Sequence, residues 1–351
     1  MGNSSSVNFP LLNQTINRYV PIPLLFFGVI GNILNMFVFT RPTFRNNICV
    51  IYFLASTVAD SFSLGIGLLT RLLTGFNVDP TQFSSGFCKM RFFITYYSAY
   101  SGAWFISLAC IERYLCSSEN VNKRQFVTTK RAYISIIIIL ITGFVAFGEQ
   151  FYCININQQL LGAPQSCYQL KRNIACQIAD SLMQFLLEIL IPAILMTIFG
   201  SLVIRNVRRK RCRINPIIQE NICTPAIPLS VTSSLKQQQQ PPLVKIRNLS
   251  NTESSLLKMQ RRAQKRDGQL LVLLIIQVAA FIICSSPVNM YKFYSVATVY
   301  NTKSNFRQAI ENTAFNVAVQ AYFCNNAVKF YIYTLCGPIF RKELAKLFRL
   351  H

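Results

Sequence analysis

The chain has 351 residues, of which 52% are hydrophobic and only 13% charged, with a mean hydropathy of +0.35 and a net charge of +23. Soluble domains carry about 25% charged residues, so most of this chain is made for lipid. The basic excess argues against a nucleic-acid partner, because 24 of the 35 Lys and Arg flank apolar spans instead of forming a face. They fall in four segments, Arg41 and Arg45, Lys123 to Arg131, Arg205 to Arg266 and Arg341 to Arg349, which read as the cytoplasmic side under the positive-inside rule.

Residues 1–18 read as an extracellular N-terminus. They hold no basic residue before Arg18, so they lack the n-region of a cleavable signal, and they carry sequons at Asn3 and Asn13. Residues 19–335 then hold seven apolar spans. The first runs from about Tyr19 to Thr40 and the second from about Asn47 to Leu73. In the third, twenty uncharged residues separate Arg91 from Glu112, enough at ~1.5 Å each to cross ~30 Å of hydrocarbon. Its Ser98, Ser101, Gly102, Ala103 and Ser107 suit close helix packing in a bundle. The fourth span covers about Arg131 to Phe151, and the fifth about Ile174 to Ile204, interrupted by Pro192. The sixth covers about Gln269 to Tyr294, interrupted by Pro287, and the seventh about Phe306 to Leu335.

A polar connection at 205–266, rich in Lys, Arg, Ser, Gln and Pro, is expected to be disordered in its middle and to extend the flanking helices at its ends. Residues 336–351 form an amphipathic helix and tail: Phe340, Leu344, Leu347 and Phe348 share one face, suited to the inner membrane surface. Cys336 is a candidate for palmitoylation there, with the unmodified thiol equally open. The expected fold is an all-α membrane protein, a seven-transmembrane helix bundle with a short amphipathic helix after the seventh span.

Polar residues inside the spans mark candidate sites. Asp180, Gln184 and Glu188 lie four apart and stack on one helical face. Carboxylates in a membrane span are functional candidates, so this stripe predicts contact with a cationic group on a ligand, a structural partner within the bundle being the alternative. Thr95, Tyr96 and Tyr97 on the third span are expected to face the same cavity. Arg113 is a permanent cation at the inner end of that span, beside Glu112 and Tyr114, and needs partners at membrane depth. Enzymatic readings fare badly: the single histidine is His351, there is no Gly-rich phosphate loop, and no catalytic, cofactor or metal site is expected. A transporter or channel is the rival class, but neither an inverted repeat nor paired helix breaks are evident.

The spans carry Gly31-Asn32, Leu54-Ala55 through Ala59-Asp60, Cys88 twenty-five residues before Arg113, Pro192, Phe281-Ile-Ile-Cys284-Ser-Ser-Pro287, and Tyr333 seven residues before Phe340-Arg341. In this order and spacing they resemble the rhodopsin-like (class A) G protein-coupled receptors over about residues 19 to 349, the long connection apart. Asn326-Ala-Val-Lys-Phe-Tyr-Ile-Tyr333 and Arg262-Ala-Gln-Lys-Arg-Asp267 look like the invertebrate peptide-receptor branch that includes FMRFamide-type receptors.

The resemblance implies a plasma-membrane receptor for an extracellular ligand, expected to be a neuropeptide, that activates a heterotrimeric G protein. An orphan chemosensory receptor is the near alternative. It implies a G-protein switch at Glu112, Arg113, Tyr114, Asp267 and Tyr333, with Asp267 latching Arg113 or else merely offsetting Lys265 and Arg266. It also implies a disulfide from Cys88 to Cys167, with Cys153 as the other candidate partner. The family commonly holds a sodium ion beside the residue that is Asp60 here. Its helix-7 Asn or Asp is Lys329 in this chain, so an Asp60–Lys329 salt bridge is expected in place of the ion, unless Lys329 snorkels inward. Other departures are Ser285 for the sixth-helix Trp, Lys329-Phe330 for the seventh-helix Asn-Pro, and Gly200 for a fifth-helix Tyr. Thr95 stands where amine receptors carry Asp, and Phe323 where opsins carry their lysine, which argues against both ligands.

Overall fold

A computed structural model describes residues 8–45, 47–156, 167–169, 174–220, 272–298 and 300–349. An N-terminal helix, Phe9–Tyr19, is capped by Asn8, whose side-chain oxygen accepts from the Leu11 amide. It runs through Val20, itself helical, into α1 (Pro21–Phe39), so the first helix begins well before Tyr19. Pro21 sits at the junction of the two, where its missing N–H interrupts the ladder of backbone bonds. Asn13 lies inside the N-terminal helix, half-buried, with its side-chain oxygen turned inward. Asn3 lies outside the described residues.

Asn47 caps α2 (Ile48–Gly75) through the Cys49 amide at 3.2 Å, and α2 widens into a π-helical stretch at Ser63–Leu68. The 33-residue α3 (Ser85–Ser117) runs through the middle of the bundle, packed on α2, α4 and α5. Thr128 caps α4 (Thr129–Phe147), which turns Ile134, Ile137, Ile138, Ile141, Phe144 and Val145 outward. The fifth helix, α5, consists of Ile174–Met183, a π-helical stretch Gln184–Leu190, and Ile191–Glu220. It is followed by α6 (Val272–Ala297), α7 (Asn305–Cys336) and α8 (Pro338–Arg349). Two short strands, β1 (Ile154–Asn155) and β2 (Tyr168–Gln169), pair antiparallel between α4 and α5.

The helices holding α1, α2, α4, α5 and α6 are each long and apolar enough to cross a membrane. α3 and α7 are as long but more polar, and their polar residues point inward: Ser98, Ser101 and Ser107 on α3, and Asn316, Asn325, Asn326 and Lys329 on α7, are all buried. Exposed apolar faces outside and polar groups satisfied inside are what lipid demands of a spanning bundle. The chain is thus a multi-pass membrane protein. At the end away from the disulfides, the fully buried Tyr333 meets the rings of Phe39, Phe53 and Phe340 at 5.3–6.0 Å, which docks α8 against α1, α2 and α7.

Candidate functional site

Pro192 shapes the fifth helix. It has no N–H to give, and in the wider π turn the carbonyl left over is that of Leu187. Trp104, the chain's only tryptophan, supplies the missing donor: its Nε1 lies 2.8 Å from the Leu187 oxygen. The stretch that results carries Gln184 and Glu188 into a cavity of about 60 Å³ at the disulfide-bearing end, walled by α2, α3, α5, α6 and α7. Thr95 and Tyr96 line it as expected, with Arg71, Arg91, Asn289, Lys292 and Tyr322, whereas Tyr97 turns to α4 and donates to the Leu140 oxygen at 3.2 Å.

The acidic stripe is not an open acidic surface. Lys292 of α6 lies on it, with Nζ 3.1 Å from Asp180 Oδ2, and donates also to Gln184 Oε1 and to the Tyr96 hydroxyl (3.2 Å), its ammonium 4.6 Å from the Tyr96 ring centroid. Asp180 Oδ1 accepts further bonds from Gln150 Nε2 (2.8 Å) and Gln184 Nε2 (2.9 Å). Asp180 thus ties α5 and α6 to the turn after α4, and the cation on the outer two members of the stripe is one from the bundle itself, the structural partner that was the alternative reading. Glu188, buried, faces the Tyr322 hydroxyl instead.

Three cations that line the cavity were not singled out in the sequence. Arg91 Nη1 lies 3.4 Å from both Asp79 Oδ2 and Thr81 Oγ1. Arg71 Nη1 donates to Asn316 Oδ1 at 3.1 Å and stacks 5.5 Å from the Phe315 ring centroid. Lys292 is the third. The rule that picked out the carboxylates, that a charge inside an apolar span is functional, would have found Arg71 and Lys292 too. Two disulfides brace this end: Cys88–Cys167, and a second, Cys153–Cys176, which gives Cys153 a different partner from the one weighed in the sequence.

Deeper in the bundle, Lys329 Nζ sits 2.8 Å from Asp60 Oδ1 and 2.7 Å from Oδ2, and 3.0 Å from Ser56 Oγ. Beside it Asn326 Nδ2 donates to Ser63 Oγ at 2.9 Å. The ammonium bridges both carboxylate oxygens, so these residues do not fit a sodium ion as well. At the far end, Arg113 Nη2 donates to Asn47 Oδ1 (3.3 Å), and its Nε is 3.9 Å from Glu112 Oε2. Tyr114 packs on Phe199, ring centroids 5.4 Å apart, and the Tyr333 hydroxyl donates to Gln277 Oε1 at 2.9 Å. Asp267 lies outside the described residues.

A helical bundle that spans the membrane, with a polar cavity at one end and an Arg-bearing helix terminus at the other, has the form of a transmembrane receptor. The chain belongs to the 7 transmembrane receptor (rhodopsin family), whose profile matches residues 31–333, and such receptors are not enzymes. It is also similar to the neuromedin U receptor homolog nmur-2 of Caenorhabditis elegans, at 28% identity over 145 residues. That match covers 41% of this chain and 36% of the relative.

Proposed function

We propose that this receptor sits in the plasma membrane, binds an extracellular neuropeptide in the disulfide-braced cavity, and activates a heterotrimeric G protein at the opposite end. The observation that carries the reading is one helix reaching both places: α3 puts Thr95 and Tyr96 in the cavity wall and Glu112, Arg113 and Tyr114 at the far terminus. In this arrangement residues 1–18 are outside, and 205–266 and 336–351 inside with the basic segments. The relative's name supports a peptide ligand without choosing the FMRFamide-type branch, which rests on the Asn326–Tyr333 and Arg262–Asp267 segments. A cavity of about 60 Å³ admits the tip of a peptide, not its length.

Ligand and G protein each favour the state in which α5 and α6 have moved, and neither shifts the equilibrium beyond its differential affinity. Asp267, as a latch on Arg113, holds the resting state. The test is a peptide-library screen in transfected cells with calcium and cAMP readouts. A peptide response that Arg113→Ala abolishes at equal surface expression supports the reading, and higher ligand-free signalling in Asp267→Ala supports the latch. A library without any response specific to transfected cells overturns the peptide assignment.

A further inference from the structure

The charges in the cavity are sorted by depth. Arg71, Arg91 and Lys292 line it from three helices, each near the disulfide-bearing end of its helix. Glu188 is the one carboxylate among the described lining residues, and it lies eight residues further into the bundle than Asp180, about 12 Å along α5. The carboxylates that partner two of the cations stand behind them. Asp79 and Asp180 are 2% and 1% exposed and are not part of the wall.

Those hidden carboxylates hold the cations in place. Asp79 accepts from Thr74 Oγ1 (2.6 Å), from Thr81 Oγ1 (2.7 Å) and from the Thr81 amide (2.9 Å), as well as from Arg91. Asp180 is held in turn by Gln150 and Gln184. Arg71 is oriented by Asn316 and the Phe315 ring. An arriving anion meets fixed donors, so little affinity is lost in ordering them. A cationic ligand group must instead pass three cations to reach Glu188.

One further polar group points to the ligand's other feature. Asn289, 3% exposed, lines the cavity one turn inside Lys292, and its Oδ1 has no hydrogen-bond partner among the described residues. A buried carbonyl oxygen without a donor is costly, and a ligand N–H removes that cost. We propose that the cavity selects a carboxylate with an N–H donor beside it: the carboxylate taken by guanidinium N–H groups of Arg71 and Arg91 through charge-assisted bonds, the N–H given to Asn289, with Lys292, its three donors already committed, forming the wall between them. The chemistry is that of a peptide's free C-terminus or of a small N-acyl amino acid. This deepens the receptor reading above and rests on it.

The test uses purified full-length receptor in nanodiscs and reads ligand-induced thermal stabilisation, which needs no G protein. The probes are a peptide library with free C-terminal carboxylates, the same library amidated, and N-acetyl amino acids with their methylamides. Carboxylate probes should stabilise, and Arg71→Gln should weaken the best of them by roughly 10- to 100-fold, the range for a hydrogen bond to a charged group. Asp79→Asn/Arg91→Gln, which removes both buried charges together and strands neither, should do likewise, and both variants should weaken carboxylate probes more than neutral ones. Stabilisation by N-acetyl amino acids alone sustains the inference while removing the peptide assignment, and carboxylate peptides that bind without signalling sustain it while removing the coupling assignment. Equal or better binding of the amidated probes, no stabilisation by any carboxylate, or losses in the variants that ignore ligand charge would overturn it.

Discussion

Replacing Asp60 by asparagine leaves the Lys329 ammonium buried with only neutral acceptors, the new amide oxygen and Ser56, and replacing Lys329 by methionine leaves a carboxylate without its cation. The side chains are only 4% and 5% exposed, and Nζ is 2.7 Å from Oδ2. At that distance the gross attraction is about 6 kcal/mol at an effective dielectric near 20. Desolvation of the two ions consumes much of it, so the pair's net worth is small, whereas losing one partner costs about 3–5 kcal/mol. Against a total stability of about 5–15 kcal/mol, either single change should sharply lower surface expression and the unfolding temperature. The double variant Asp60→Asn/Lys329→Met should recover part of the loss, with a coupling of about 2 kcal/mol or more. A thiol-reactive dye follows unfolding directly, because Cys110 is a buried thiol outside either disulfide. Exchange of sodium for choline at constant ionic strength should leave the unmodified protein unchanged and should affect Lys329→Met, whose carboxylate has lost its cation. Additive losses in the double variant, or sodium-specific stabilisation of the unmodified protein, would refute the reasoning.

Further outcomes follow from other contacts. Cys153→Ser/Cys176→Ser opens a disulfide spanning 23 residues and should cost about 3 kcal/mol by loop entropy; recovery of both cysteines as free thiols from the unreduced native protein would count against the bond. Gly31→Ala places a methyl 2.8 Å from Phe330 Cβ and should destabilise by about 1–3 kcal/mol, while Gly200→Ala, with nothing within 4 Å, should be neutral or slightly stabilising in the same dye assay. Tyr333→Phe leaves the buried Gln277 amide without its partner and should cost about 1–3 kcal/mol; adding Gln277→Leu should restore most of it, and a double variant no better than the single would argue that the hydrogen bond is not the cause.

The spans were legible because hydropathy is additive: twenty uncharged residues announce a membrane helix whichever way each residue faces. The family's landmarks and the depth of Lys329 opposite Asp60 were legible because straight helices keep register. Facing was less so. Periodicity read Asp180, Gln184 and Glu188 as one stripe but could not show that Lys292, from a distant part of the chain, lies on two of them. Nor does hydropathy mark a π turn, since the widening at Gln184–Leu190 depends on Pro192 and on a donor from Trp104. The second disulfide was hidden for a related reason: Cys176 reads as one more apolar residue at the start of a span.

The π-helical stretch separates the two ends of α5 in phase. Were the stretch between 184 and 190 to tighten into ordinary α geometry at unchanged length, the outer segment Ile174–Met183 would rotate by up to about 100° against the inner one. Asp180 would then swing away from Lys292, while Phe199 on the inner segment kept its place on Tyr114. A change confined to that one turn can therefore re-aim the cavity wall without disturbing the far terminus, so the two ends of this helix are free to diversify at different rates.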